Sequence, residues 1–159
     1  MERRSFMKSG LAGAAIGIMG TSVAMAETHD HSHEKKQKVE EDPKSKELKK
    51  VADTAYDCVK HANACLAECN RALAEGESSM AECQEAVLSM ISVCEAAATN
   101  ATFNLVDRKL LSNLIKVCGE FCEYCSKACE PHAEHYTECK NCMESCDECA
   151  KACKAYLTA

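Results

Sequence analysis

The chain has 159 residues, 14 of them cysteine, and a formal net charge of −6. An acidic chain without a basic stripe argues against nucleic acid and anionic membranes as partners, and the length suits one domain. A cysteine density this high points to a disulfide scaffold or to thiolate metal sites, and the placement of the cysteines has to decide between them.

The amino terminus reads as an export signal. Met1-Glu2-Arg3-Arg4-Ser5-Phe6-Met7-Lys8 is basic, Ser9 to Ala26 is uncharged, and Ala24-Met25-Ala26 suits signal peptidase. Arg3-Arg4 with Phe6 and Lys8 resembles a twin-arginine signal, an address for folded cargo. The stretch is too short and Gly-rich for a stable membrane anchor. The expectation is an exported, periplasmic protein cut after Ala26. Residues 27–43 then form a polar, flexible tail carrying His29, His31 and His33. A chain starting at Glu27 could wrap Cu(II) in a square plane of nitrogens with His29, although a merely solubilising tail is the plainer reading.

From Lys44 onward, apolar residues and cysteines recur at helical spacing in four segments. The first, about Lys44 to Ala74, carries Leu48, Val51, Ala55, Cys58, Ala62, Cys65, Cys69 and Leu73. Gly76-Glu77-Ser78-Ser79 breaks it, with Ser78 or Ser79 available as a cap. The second carries Met80, Cys83, Val87, Met90 and Cys94 and is predicted to break at Thr99-Asn100-Ala101-Thr102. The third starts near Phe103 or Asn104, carries Leu111, Leu114, Cys118, Cys122, Cys125 and Cys129, and stops before Pro131. The fourth, from about Ala133, carries Cys139, Cys142, Cys146, Cys149, Cys153 and Tyr156. Short loops between four such helices predict an all-α, antiparallel up-down-up-down bundle over residues 44–159.

Every cysteine therefore falls on a core stripe. The steps of three, four, seven and eleven residues return to one helix face, so thiols stand where leucine is expected. Cysteines one turn apart on a helix have nearly parallel Cβ vectors, a poor geometry for disulfides. A disulfide-stapled structural bundle is the weaker alternative, and an inert thiol core would invite oxidation. Metal binding is the stronger reading. Cys122/Cys125, Cys139/Cys142 and Cys146/Cys149 form CxxC pairs, so zinc or thiol redox buffering stays open. Charge favours Cu(I): a zinc with four thiolates carries −2, whereas one Cu(I) per thiolate is neutral and can fill a tube.

Asp57-Cys58, Cys65-xxx-Cys69, Ser79-Met80-xx-Cys83 with Cys94 eleven on, and Glu138-Cys139-Lys140-xx-Cys142-xxx-Cys146-xx-Cys149-xxx-Cys153 resemble the four-helix-bundle copper storage proteins, in their exported form. The resemblance runs from about Asp57 to the carboxyl terminus. It implies many Cu(I) ions per chain, a homo-oligomer (commonly a tetramer), supply of copper enzymes or detoxification, and loading at the bundle end near the first loop. The pattern departs from the family where Glu68, Ala72 and Glu75 stand in place of a His and several Met, and Cys118 is an added ligand. His132 and His135 share an end with Met80 and are expected to replace those groups. Met90 reads as core filler as readily as ligand, and His61 and Met143 lie off the stripe. No cysteine pairs with a base and an orienting group, so no catalytic residue is assigned and the protein is not read as an enzyme.

Overall fold

The computed structural model describes residues 42–104 and 106–159. The expected export signal, most of the tail with its three histidines, and Leu105 lie outside the described residues. Four helices follow in order: α1 (Pro43–Ala74), α2 (Ala81–Phe103), α3 (Arg108–Cys129) and α4 (Thr137–Thr158). Single 3-10 turns at Ser78–Met80 and Glu130–His132 precede α2 and follow α3. Each helix packs on two neighbours, α1 and α3 both lying against α2 and α4. This is the up-down-up-down arrangement that short loops impose.

Local chemistry sets the ends. Pro43, expected to close the tail, instead opens α1, where its missing N–H has no helical partner to lose. α1 stops at a left-handed Gly76 (φ 95°). Gly76 N–H bonds to Leu73 O and Glu77 N–H to Ala72 O, both at 3.0 Å, the reverse-turn pattern that satisfies the last carbonyls.

The predicted break at Thr99–Thr102 does not form. Asn100 Nδ2 donates to Ala96 O at 2.8 Å and Thr102 Oγ1 to Ala98 O at 2.8 Å, so these polar side chains are satisfied on the helix itself. Ala97, Ala98 and Ala101 on the inner face are buried. α2 ends instead at Asn104, left-handed at φ 47°, a conformation asparagine tolerates. α3 then starts later than its apolar pattern suggests, because Asp107 accepts from Lys109 N–H and Leu110 N–H. α4 also starts late. His135 and Tyr136 N–H bond back to His132 O, which holds the residues before Thr137 in a turn.

The interior has two parts. Val51, Ala97, Ala98, Ala101, Leu111, Ile115 and Tyr156 bury an apolar layer where α1 and α3 begin and α2 and α4 end. Lys44 Nζ lies 5.0 Å from the Tyr156 ring centre at that end. From there to the opposite loops, the core is almost entirely sulfur, flanked by alanine. Gly119 brings α3 and α4 together between the parts: a Cβ there would lie 3.2 Å from Cys153 Cβ. At the other end, Tyr136 Oη donates to Glu77 Oε2 at 2.5 Å, tying the α3–α4 loop to the α1–α2 loop.

The apolar layer and helix-favouring Ala, Glu and Lys stabilise the bundle without any metal. Metal-free, reduced protein is expected to give a strongly helical circular dichroism spectrum. Leu111→Ala is expected to lower unfolding free energy by about 2–5 kcal/mol; a coil spectrum for the metal-free chain would contradict this account.

Candidate metal centre

All fourteen cysteines are buried and free. Their sulfurs lie 3.4–4.0 Å from their nearest thiol partners where these are in contact, well beyond a disulfide bond of about 2.0 Å. Helical spacing produces this directly. Consecutive cysteines on one helix stack a turn apart, and antiparallel neighbours insert theirs between.

The sulfurs group into overlapping clusters. Cys65, Cys69, Cys83 and Cys139 converge nearest the η-turn loops, each sulfur within 4.8 Å of the others. Cys69 lies 3.6 Å from Cys83, and Cys65 lies 3.6 Å from Cys139. Cys65 is shared with a second group, Cys65, Cys129 and Cys142, and Cys83 reaches Cys129 at 3.5 Å. Cys142 is shared in turn with Cys125 and Cys146. Cys146 lies 3.4 Å from Cys58. The deepest group is Cys94, Cys118, Cys122 and Cys149, in which Cys94 stands 3.4 Å from Cys122 and 3.6 Å from Cys118. Cys153 completes it, interacting with Cys118 and Cys149 beside Gly119.

This geometry fits a soft thiophilic ion. With metal–sulfur bonds of about 2.3 Å, sulfurs sharing one ion stand roughly 3.8 Å apart in a tetrahedron and 4.0 Å apart in a trigonal plane. The observed spacings span those values or need a few tenths of an ångström of widening. Because the clusters share members, each thiolate can bridge two ions.

The thiols also share protons. A hydrogen bond from Cys122 brings Cys118 down to about 6, and the same partner brings Cys58 down to about 5. Cys125 does the same for Cys129, to about 6. The partners move the other way: Cys94 and Cys122 rise above the ordinary thiol range chiefly through Cys118, and Cys65 chiefly through Cys129. The interior therefore divides its protons between neighbouring sulfurs rather than ionising throughout. An arriving cation displaces the protons that remain.

The other expected site residues are placed unevenly. Met80 is fully buried at the start of α2, one turn before Cys83. His132 is half-buried. His135 is exposed and lines a shallow depression with Glu134, Lys140 and Met143. His61 faces Asp57 at 3.6 Å on the outer surface, as its position off the stripe suggests. Met90, left outside the expected ligand set, has its sulfur 3.5 Å from that of Cys58 and 3.3 Å from that of Cys94.

The comparisons agree with this geometry. A family model described as copper storage protein matches residues 44–158. A cytosolic copper storage protein from Streptomyces lividans, in a structure with five coppers, superposes with a TM-score of 0.66. It is 21% identical, and the match covers 73% of this chain and 96% of that one. The structure of the Streptomyces lividans copper storage protein Ccsp loaded with 10 copper equivalents gives a TM-score of 0.64 at 22% identity, covering 71% and 85%. None of the curated proteins matches the sequence.

The expectation of an exported, periplasmic protein is corrected by these comparisons, since the five-copper relative is cytosolic. A bundle lined with free thiols is chemically at home where thiols are kept reduced, so its cysteines are no mark of export.

Unfolded, metal-free protein is expected to react with about fourteen equivalents of a thiol reagent, one for each free cysteine. The native protein is expected to react far more slowly, since the same cysteines are buried. A count of a few thiols in the unfolded chain would show disulfides instead.

Proposed function

Because the chain belongs to the copper storage protein family, we propose that it holds its copper as Cu(I) on the core cysteines Cys58, Cys65, Cys69, Cys83, Cys94, Cys118, Cys122, Cys125, Cys129, Cys139, Cys142, Cys146, Cys149 and Cys153, at about one ion per thiolate. The observation that carries this is the run of overlapping sulfur clusters from Cys69 to Cys149, with spacings that suit bridging thiolates. Stoichiometry follows from charge. Isolated thiolates in a dry interior are costly, and one Cu(I) per thiolate cancels the charge at each step. Thiolate softness selects Cu(I) over harder cations. The Streptomyces lividans relatives with five coppers and 10 copper equivalents support a load of many ions. Storage, rather than catalysis, is the use this arrangement serves, and residues 44–159 act as one storage unit.

Copper is admitted at the end that holds the two 3-10 turns. Met80 is buried one turn before Cys83, His132 is half-buried in the α3–α4 loop, and His135 in the same loop is exposed. Thioether and imidazole hold Cu(I) less firmly than thiolate does, which suits transfer rather than retention. The opposite end is closed by the apolar layer around Leu111 and Ile115.

An anaerobic Cu(I) titration, with metal and thiol measured on the same sample, tests the capacity. Saturation is expected near fourteen ions, falling by about two in Cys142→Ala/Cys146→Ala with the helices intact; saturation at three or four ions would refute the reading. Met80→Leu, His132→Ala and His135→Ala in combination are expected to slow loading while leaving capacity nearly unchanged.

Self-association into a homo-oligomer, a tetramer in particular, is supported by the outer face of α2. Ser78–Phe103 is apolar enough to cross a membrane by composition, yet its inner face carries the sulfur ligands Cys83 and Cys94. Leu88 on the outer face is half-exposed, and Ile91 one turn on is only partly covered. An apolar face of this kind marks a protein contact. Sedimentation analysis is expected to show an oligomer that Leu88→Glu dissociates; a monomeric wild-type protein would overturn this.

A further inference from the structure

Met90 is fully buried on α2, between Cys83 and Cys94 on the same stripe. A methionine in a protein core is ordinarily soft filler with hydrocarbon around it. Here its sulfur has two close sulfur neighbours from different helices. Cys58 on α1 stands 3.5 Å away, and Cys94 on α2 stands 3.3 Å away.

Those two cysteines lie where the loop-side and deep parts of the sulfur run meet. Cys58 contacts Cys146, a member of the group with Cys125 and Cys142 on the loop side, and also interacts with Cys94, Cys122 and Cys149 of the deep group. Cys94 belongs to the deep group with Cys118, Cys122 and Cys149. Met90 therefore occupies the junction between the loop-side clusters and the deep cluster.

We propose that Met90 is a copper ligand, its thioether sharing one Cu(I) with the thiolates of Cys58 and Cys94 at this junction. The proposal rests on the Cu(I) storage reading above. A thioether is a neutral, soft donor that selects Cu(I) and has no proton to give up before it binds. The two sulfur separations need to widen by about 0.5 and 0.7 Å for a trigonal ion with bonds of about 2.3 Å, a change that rotation of the unbranched side chain supplies. Cys58 and Cys94 remain free to bridge onward to their own groups, so the junction ion adds no unbalanced charge. A weaker donor between two all-thiolate groups makes this the site most readily vacated, and hence a step through which ions pass inward and outward.

The test uses the full chain labelled with selenomethionine and loaded anaerobically with Cu(I), with copper and thiol content measured on every sample. Selenium-edge X-ray absorption reads whether copper lies at bonding distance from selenium. Leucine conserves the approximate volume of methionine, so Met→Leu variants keep the packing. In Met80→Leu, a selenium–copper signal is expected to persist, and in Met80→Leu/Met90→Leu it is expected to vanish. Loss of the signal in Met80→Leu, or its full retention in the double variant, would overturn the assignment. Should the double variant fail to fold, Met90→Leu alone is expected to lower the wild-type signal, and an unchanged signal would overturn the assignment equally. Failure of the storage reading looks different: the labelled protein would not take up Cu(I) at all.

Discussion

A thiol that loses its proton in a dry interior carries a charge which nothing around it hydrates. With fourteen such groups buried along one core, local neutrality governs everything else about this bundle. Without metal, the charge is limited by sharing: Cys118 and Cys129 are acidic because a neighbour keeps a proton, and Cys122 and Cys65 are correspondingly reluctant, so thiolates stand beside protonated thiols. With metal, each monovalent ion takes over from a proton. The same core thus limits its charge when empty and approaches neutrality as it fills, which a store requires and a four-ligand structural site does not.

Neutrality leaves the scaffold with a mechanical task, which is to hold sulfurs near one another without letting them bond. The helices do this through period and diameter. Steps of three and four residues stack sulfurs a turn apart, and alanines beside them let neighbouring helices close in. The apolar layer of Val51, Leu111, Ile115 and Tyr156 supplies cohesion that does not depend on what the sulfurs carry. Gly119 marks the seam between these regions, where a Cβ on α3 would press on Cys153 at 3.2 Å, tighter than ordinary packing.

The stripe was legible from sequence because helical period alone brings its cysteines to one face. The helix ends were less so, since they depend on bonds that composition does not display. Asn100 and Thr102 look like loop residues but satisfy themselves on the preceding turn, and Asp107 fixes the start of α3 against an apolar run that begins earlier. His132 and His135 share a loop, yet the turn at His132 O leaves one half-buried and the other exposed. Met90 was visible on the stripe, but its two sulfur neighbours come from α1 and α2 together, and cross-helix register is set by packing. Compartment was read from the amino-terminal pattern, whereas the thiol-lined bundle itself carries no such address, as the cytosolic relative shows.

The apolar layer has one more consequence, which concerns order in time. A tube with a stopper at one end is a stack: whatever goes deepest arrives first and departs last. Ions beside Cys118 and Cys153 lie against that stopper, with every other sulfur group between them and the loops. With entry at the loop end, as proposed, copper delivered early in the life of the molecule is retired to long-term keeping. Day-to-day traffic then turns over the ions between the loops and the Met90 junction, so a single chain behaves as two reserves with different residence times, although its ligands are chemically almost uniform.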